Sequence, residues 1–159
     1  MKIAVFSDIH SCHSKMVAVF SDMERYQIDK FICLGDIIGY GDRPEETIKL
    51  LMEKNVVSVR GNHELAMFSR KYLECFPKFI KQPLLDNIAA ISPKSVQYLE
   101  NTAIYLKLEN CHFVHGTPPD KLTTYIYDVT DSYLKSLFNN TEEQIFFTGH
   151  THKLKLITY

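Results

Sequence analysis

The sequence predicts an α/β protein with a mixed β-core flanked by helices. Three observations carry that expectation. The first third alternates short apolar runs with helical stretches in the order βαβαβ, which asks for a parallel sheet with right-handed crossovers. Two later runs are separated only by Glu109-Asn110, which asks for a hairpin and hence for antiparallel pairing. Five of the apolar runs also stop at residues able to hold a cation: Asp8 and His10, Asp36, Asn62 and His63, His115, and His150 and His152. In open α/β sheets ligands bind just beyond the carboxyl ends of the strands.

Taken in order, Lys2–Phe6 reads as the first buried strand. Ser14–Tyr26 carries Met16, Val17, Phe20 and Met23 at helical spacing. Lys30–Leu34 is the second strand. Pro44 at a helix start, followed by Glu45 and Glu46, opens a helix to about Glu53. Val56–Val59 is the third strand. From Glu64 to about Thr102 the chain reads as mostly helical, with breaks near Pro77, Pro83 and Pro93, and Ser92-Pro93 as a cap and first turn. Ala103–Leu108 and Cys111–His115 form the hairpin. Thr117-Pro118-Pro119-Asp120 is a rigid loop, Thr130–Phe138 a short helix, Ile145–Thr148 a core strand, and Leu154–Tyr159 the start of another.

At 159 residues and 18.5 kDa, with 45% hydrophobic residues, the chain has the size of one domain, residues 1–159, with a real core. A net charge of −1 and the lack of any Lys/Arg run speak against general nucleic-acid binding. No apolar stretch approaches a membrane span, and the N-terminus lacks the layout of a signal peptide. Cys12, Cys33, Cys75 and Cys111 are scattered, which reads as reduced thiols in a cytoplasmic protein.

The strand-end donors define the chemistry. Asp8-x-His10 offers a carboxylate and an imidazole to one point, a mixture that suits manganese, iron, zinc or nickel better than calcium. Asp36 follows Gly35 and has two oxygens with which to bridge two ions. Asn62 adds a neutral oxygen, and His150-Thr151-His152 repeats the i, i+2 spacing. Singly, each has an ordinary reading: Asp and Asn cap turns at strand ends, and an isolated histidine is usually a surface or core residue. His13 reads as a helix-start residue, and His112 as a strand residue on the face opposite His115 or near the turn. Tyr40 and Tyr125 read as pocket walls or as packing. Arg60 is a candidate substrate-phosphate donor, with a solvated arginine as its plain alternative.

Together, Asp8-x-His10, Gly35-Asp36, Gly61-Asn62-His63-Glu64, His115-Gly116 and Gly149-His150-Thr151-His152 resemble, in order, the five signature blocks of the calcineurin-like metallophosphoesterases. The Gly35–Gly41 stretch is similar to their small prokaryotic phosphodiesterase-like branch and lacks the Asp-Arg-Gly continuation of the Ser/Thr protein phosphatases. The resemblance implies an α/β/β/α sandwich with mixed sheets and a site for two divalent ions. One ion would take Asp8, His10 and His152, the other Asn62, His115 and His150, with Asp36 as bridge. It implies hydrolysis of a phosphodiester or small phosphomonoester by a metal-bridging hydroxide, with His63 facing the leaving group and Glu64 or another acceptor orienting His63.

Two departures stand out. The family usually continues its first block with Gly and Asn, where this chain has Ser11 and Cys12; Ser11 is expected to alter the backbone turn there. Family members also usually extend well past the last block, so the C-terminal strands look missing, and self-association is expected to cover the surface this leaves. The rival from another class is an inactive scaffold of the same fold that binds a protein partner; the complete donor set and His63 weigh against it. A redox metalloprotein fits less well, because sites sharing a carboxylate suit hydrolysis better than electron transfer.

Overall fold

A computed structural model describes residues 1–158. The βαβαβ opening is present. Strands β1 (Ile3–Phe6), β2 (Lys30–Cys33) and β3 (Val57–Ser58) form a parallel sheet in the order β1-β2-β3, with α1 (His13–Met23) and α2 (Pro44–Glu53) as crossovers. A single 3-10 turn, Glu24–Tyr26, closes α1. Pro44 stands in the first turn of α2 with Glu45 and Glu46 beside it, where a missing amide costs nothing and acidic groups complement the helix dipole.

The next stretch holds α3 (Asn62–Phe68), α4 (Arg70–Glu74), α5 (Lys78–Ala90) and α6 (Pro93–Glu100). Breaks fall before Lys78 and before Pro93 as expected, and the Ser92 side chain caps α6 by accepting from Ser95 N–H. Pro83 does not break the chain: α5 runs through it. The proline forfeits one hydrogen bond, but Leu84 and Asn87 on either turn beyond it are buried and hold the helix to the body.

A second sheet follows. β4 (Tyr105–Leu108) pairs antiparallel with β5 (Cys111–Val114) across the two-residue turn, and β6 (Ile145–Thr148) runs parallel to β5. Helix α7 (Asp131–Asn140), capped by the Thr130 side chain, packs Phe138 edge-on to Phe146 at 4.9 Å. Leu154–Thr158 forms no strand; Tyr159, the last residue of that expected element, lies outside the described residues.

Alternation along the strands builds two core layers. Ile32, Leu34, Val59 and Phe113 are buried between the sheets, joined by Ile3, Val5, Leu106 and Phe147. Phe6, Phe31 and Cys33 face the other way, onto Phe20, Leu51, Leu84 and Leu99 of the helical layer. The layers are thus α/β/β/α, with the strand ends of both sheets on one rim. The sheets meet at Val59 and Ala103, which bridge in parallel. Near the rim Gly35, at φ +96, lies so close to Gly61 that a Cβ would sit 2.4 Å from its nitrogen. Only glycine gives that approach.

Candidate metal centre

The donors expected at strand ends do converge. Three overlapping groups have ligand atoms within 4.8 Å of one another: Asp8 with His10 and His152, His10 with Asp36 and His63, and Asp36 with His115 and His150. His10 Nε2 and His152 Nε2 are 3.2 Å apart, as His115 Nε2 and His150 Nδ1 are at 3.1 Å. Asn62 Oδ1 is 2.9 Å from His115 Nε2. Their tips all point into one small volume.

The backbone aims the rings. His10 Nδ1 donates to Ile38 O at 3.3 Å and His115 Nδ1 to Leu34 O at 2.8 Å, which turns both Nε2 atoms inward. The chain reaches this geometry through left-handed turns at Asp8 (φ 56), His10 (φ 47), Asp36 (φ 51), His150 (φ 65) and His152 (φ 52). Ser11 also sits there at φ 60, so a side chain occupies a conformation that glycine adopts more easily.

Asp36 lies at the middle. Its Oδ1 accepts from His63 N–H at 2.9 Å, which leaves Oδ2 facing His115 Nε2 at 3.4 Å, His10 Nε2 at 3.8 Å and His63 Nε2 at 3.9 Å. Burial would raise its carboxyl, but His115, then His63 and His10, hold it well below the usual carboxylate range. Burial likewise opposes charge on His115, yet Asp36 beside it lifts the imidazole to about 9. His10, His63 and His150 go the other way: desolvation lowers all three, His63 to about 4. In the metal-free chain most of these imidazoles are neutral, the form that ligates metal.

His63 is buried against His10, Tyr40 and Phe76, with ring centroids 4.6 to 5.2 Å away. Its Nδ1 is buried without a hydrogen-bond partner. Glu64 does not orient it. Neighbouring residues on a helix point in different directions, and Glu64 turns back to accept four backbone N–H groups: Asp36 at 2.9 Å, Ile37 at 2.8 Å, Ile38 at 3.2 Å and Gly61 at 2.9 Å. Burial and the Asp36 charge push its carboxyl up, to about 7, against these donors.

Arg60 is not brought to the centre. Its Nη2 donates to Glu100 O at 2.6 Å and its Nε to Thr102 Oγ1 at 3.3 Å, with the guanidinium over Phe68. His13 begins α1. His112 faces away from the centre, donating from Nε2 to Pro119 O at 2.6 Å and stacking on Tyr105. Tyr40 and Tyr125 do line the cavity of about 430 Å³ above the donors, together with Phe76. Tyr125 stacks on His150 at 3.9 Å.

The donor set fits metal. It combines two carboxylates, an amide oxygen and several inward-facing imidazole nitrogens, and Asp8 Oδ1 is buried with no hydrogen-bond partner. Such a mixture belongs to borderline divalent ions.

Residues 1–154 match the profile of the Metallophos family, the calcineurin-like phosphoesterases, and the chain belongs to that family. It is 31% identical over 155 residues to an uncharacterized protein of Methanocaldococcus jannaschii, covering 94% of this chain and 62% of that protein. Among solved structures it is similar to a metallophosphoesterase from Sphaerobacter thermophilus, at 30% identity and a TM-score of 0.74, over 96% of this chain and 61% of the other. A hypothetical protein from Pyrococcus horikoshii, at 24% identity and a TM-score of 0.77, shares the fold over 92% of this chain and 68% of its own. The chain therefore spans less than two thirds of the first two relatives. No helix among the described residues is long and apolar enough to cross a membrane.

Proposed function

We propose that this chain hydrolyses a phosphodiester with two divalent ions, for which the buried Asp36 carboxylate would be the shared ligand. Its Oδ2 carries the reading, because it faces His10 at 3.8 Å and His115 at 3.4 Å, one from each donor set, while Oδ1 accepts from the His63 backbone. Asp8, His10 and His152 would hold one ion, and Asn62, His115 and His150 the other. Manganese, iron, nickel and zinc all suit these donors. Bound there, such ions would supply Lewis acidity, lowering the pKa of water from ~15.7 toward ~7 and neutralising phosphoryl oxygens.

The chain's own groups do the rest. His63, held neutral by burial, keeps one N–H with which to bond the departing oxygen and stabilise the charge forming there. Tyr40, Phe76 and Tyr125 offer apolar walls for an ester substituent. Among the described residues no Lys or Arg lines the cavity, which favours a monoanionic diester over a dianionic monoester. The unpaired cysteines support a reducing, cytoplasmic setting.

The test is turnover of bis(p-nitrophenyl) phosphate against p-nitrophenyl phosphate with added manganese, zinc, nickel or ferrous ion. The diester should turn over faster. Asp36→Asn should lose metal by calorimetry, whereas His63→Ala should keep it and slow by ~10²–10⁴. No turnover with any ion, in a sample shown by metal analysis to be loaded, would favour an inactive scaffold instead.

A further inference from the structure

The loop after His10 and the loop from Gly39 to Gly41 are both held by one residue outside the donor set. Asn87, on α5, is buried. Its Oδ1 accepts from Ser11 Oγ in a short contact and from Gly39 N–H at 2.9 Å, while its Nδ2 donates to Gly41 O at 2.9 Å. Every polar atom of its side chain is thus engaged on the two loops.

Those loops carry the rings. Gly41 N–H donates to His10 O at 2.7 Å, and Ser11 N–H to Ile37 O at 2.8 Å. The Gly39 backbone lies directly against two imidazoles, since a Cβ there would stand 2.6 Å from His10 Nδ1 and 2.7 Å from His63 Nδ1. A shift of the 39–41 loop therefore moves both rings. Ser11, in its left-handed conformation, presents its hydroxyl to Asn87, so the hydroxyl contributes a tie that a glycine at this position would lack.

We propose that Asn87 is a positioning residue: paired with Ser11, it locks the 39–41 loop to the first strand's end and so sets the orientation of His10 and His63. The inference rests on the two-ion reading, because it assigns the lock a purpose in metal binding. Neither Ser11 nor Asn87 lines the cavity above the donors, so each acts only through the loops it holds.

The experiment is a Co²⁺ titration of the 159-residue chain, wild type, Asn87→Ala, Ser11→Gly and the double variant. It reads affinity and the visible band that reports coordination geometry, well below each variant's melting temperature. kcat and KM for bis(p-nitrophenyl) phosphate are measured in parallel. Asn87→Ala should bind Co²⁺ ~10-fold more weakly, the lower end for losing a residue that supports a ligand. Its band should change, and kcat should fall with KM held. Ser11→Gly should move the same way by less, and the double variant should be no weaker than Asn87→Ala alone. Asn87→Ala with wild-type Co²⁺ affinity and band, even with a lowered melting temperature, would show a structural role only and overturn the proposal. Should Asn87→Ala fail to fold, a folded Ser11→Gly with the wild-type band and affinity overturns it equally. A wild type that binds Co²⁺ but turns over no diester would defeat the proposed hydrolysis, and the Co²⁺ readings would still decide the lock.

Discussion

Glu64 offers the sharpest test of how the centre is held. It is fully buried, and its two oxygens accept four backbone N–H groups from Asp36, Ile37, Ile38 and Gly61. Glu64→Ala leaves all four unsatisfied. At ~1–3 kcal/mol for each stranded buried donor, the loss is ~4–12 kcal/mol, against a total of ~5–15 kcal/mol for a domain. Glu64→Gln is milder. Its carbonyl replaces one carboxylate oxygen, but its NH₂ faces two N–H groups, a loss of ~2–6 kcal/mol. Burial raises the Glu64 carboxyl to about 7, so the charged side chain is itself under desolvation stress and the glutamine avoids that. The glutamine loss should therefore fall well below that of the alanine. The assay is urea unfolding of the metal-free chain at pH 8, above that value. An alanine variant within ~0.5 kcal/mol of wild type, the range of an inert surface change, would show that these hydrogen bonds do not hold the 36–38 turn.

Two further outcomes follow from other contacts. Gly39→Ala drives a methyl into His10 and His63 at a φ of +150; it should abolish tight metal binding while the far-ultraviolet spectrum stays that of a folded chain, and calorimetry showing wild-type affinity would refute the packing. Glu45, at the start of α2, accepts from Ser92 N–H at 2.9 Å. Burial opposes ionisation, but Ser92, Ser95 and Lys49 pull its carboxyl down to about 2. Its folded value lies below the ordinary 4.5, so its stabilisation is present above pH 4.5 and is lost as pH falls toward 2. Glu45→Gln should cost ~1 kcal/mol at pH 7 and flatten stability between pH 4.5 and 2; an unchanged acid limb would count against it.

The donor positions were legible because strand and function coincide in the same short runs. An apolar run that ends in Asp36 or His115 names both a buried strand and the rim on which its last residue stands. The parallel and hairpin pairings were legible for the same local reason. What could not be read depends on distant partners. Ser11 meets Asn87 across 76 positions, and nothing near Asn87 marks it as more than a polar residue on a helix. Glu64 sits in a recognisable block, yet its direction is set by a turn 26 to 28 residues earlier. Arg60 sits beside Asn62 in sequence but is drawn off by Glu100 and Thr102. Pro83 is the opposite case, a strong local signal overruled by tertiary packing of Leu84 and Asn87.

Five donor-bearing residues, Asp8, His10, Asp36, His150 and His152, have left-handed backbones. At ~1 kcal/mol apiece for an L-residue, that is ~5 kcal/mol stored around one focus, comparable with the whole margin by which many domains stay folded. Cations that cross-link these turns would offset the stored strain, so uptake of the ions and firmness of the fold become one equilibrium. The catalyst and the keystone of the rim would then be the same pair of atoms.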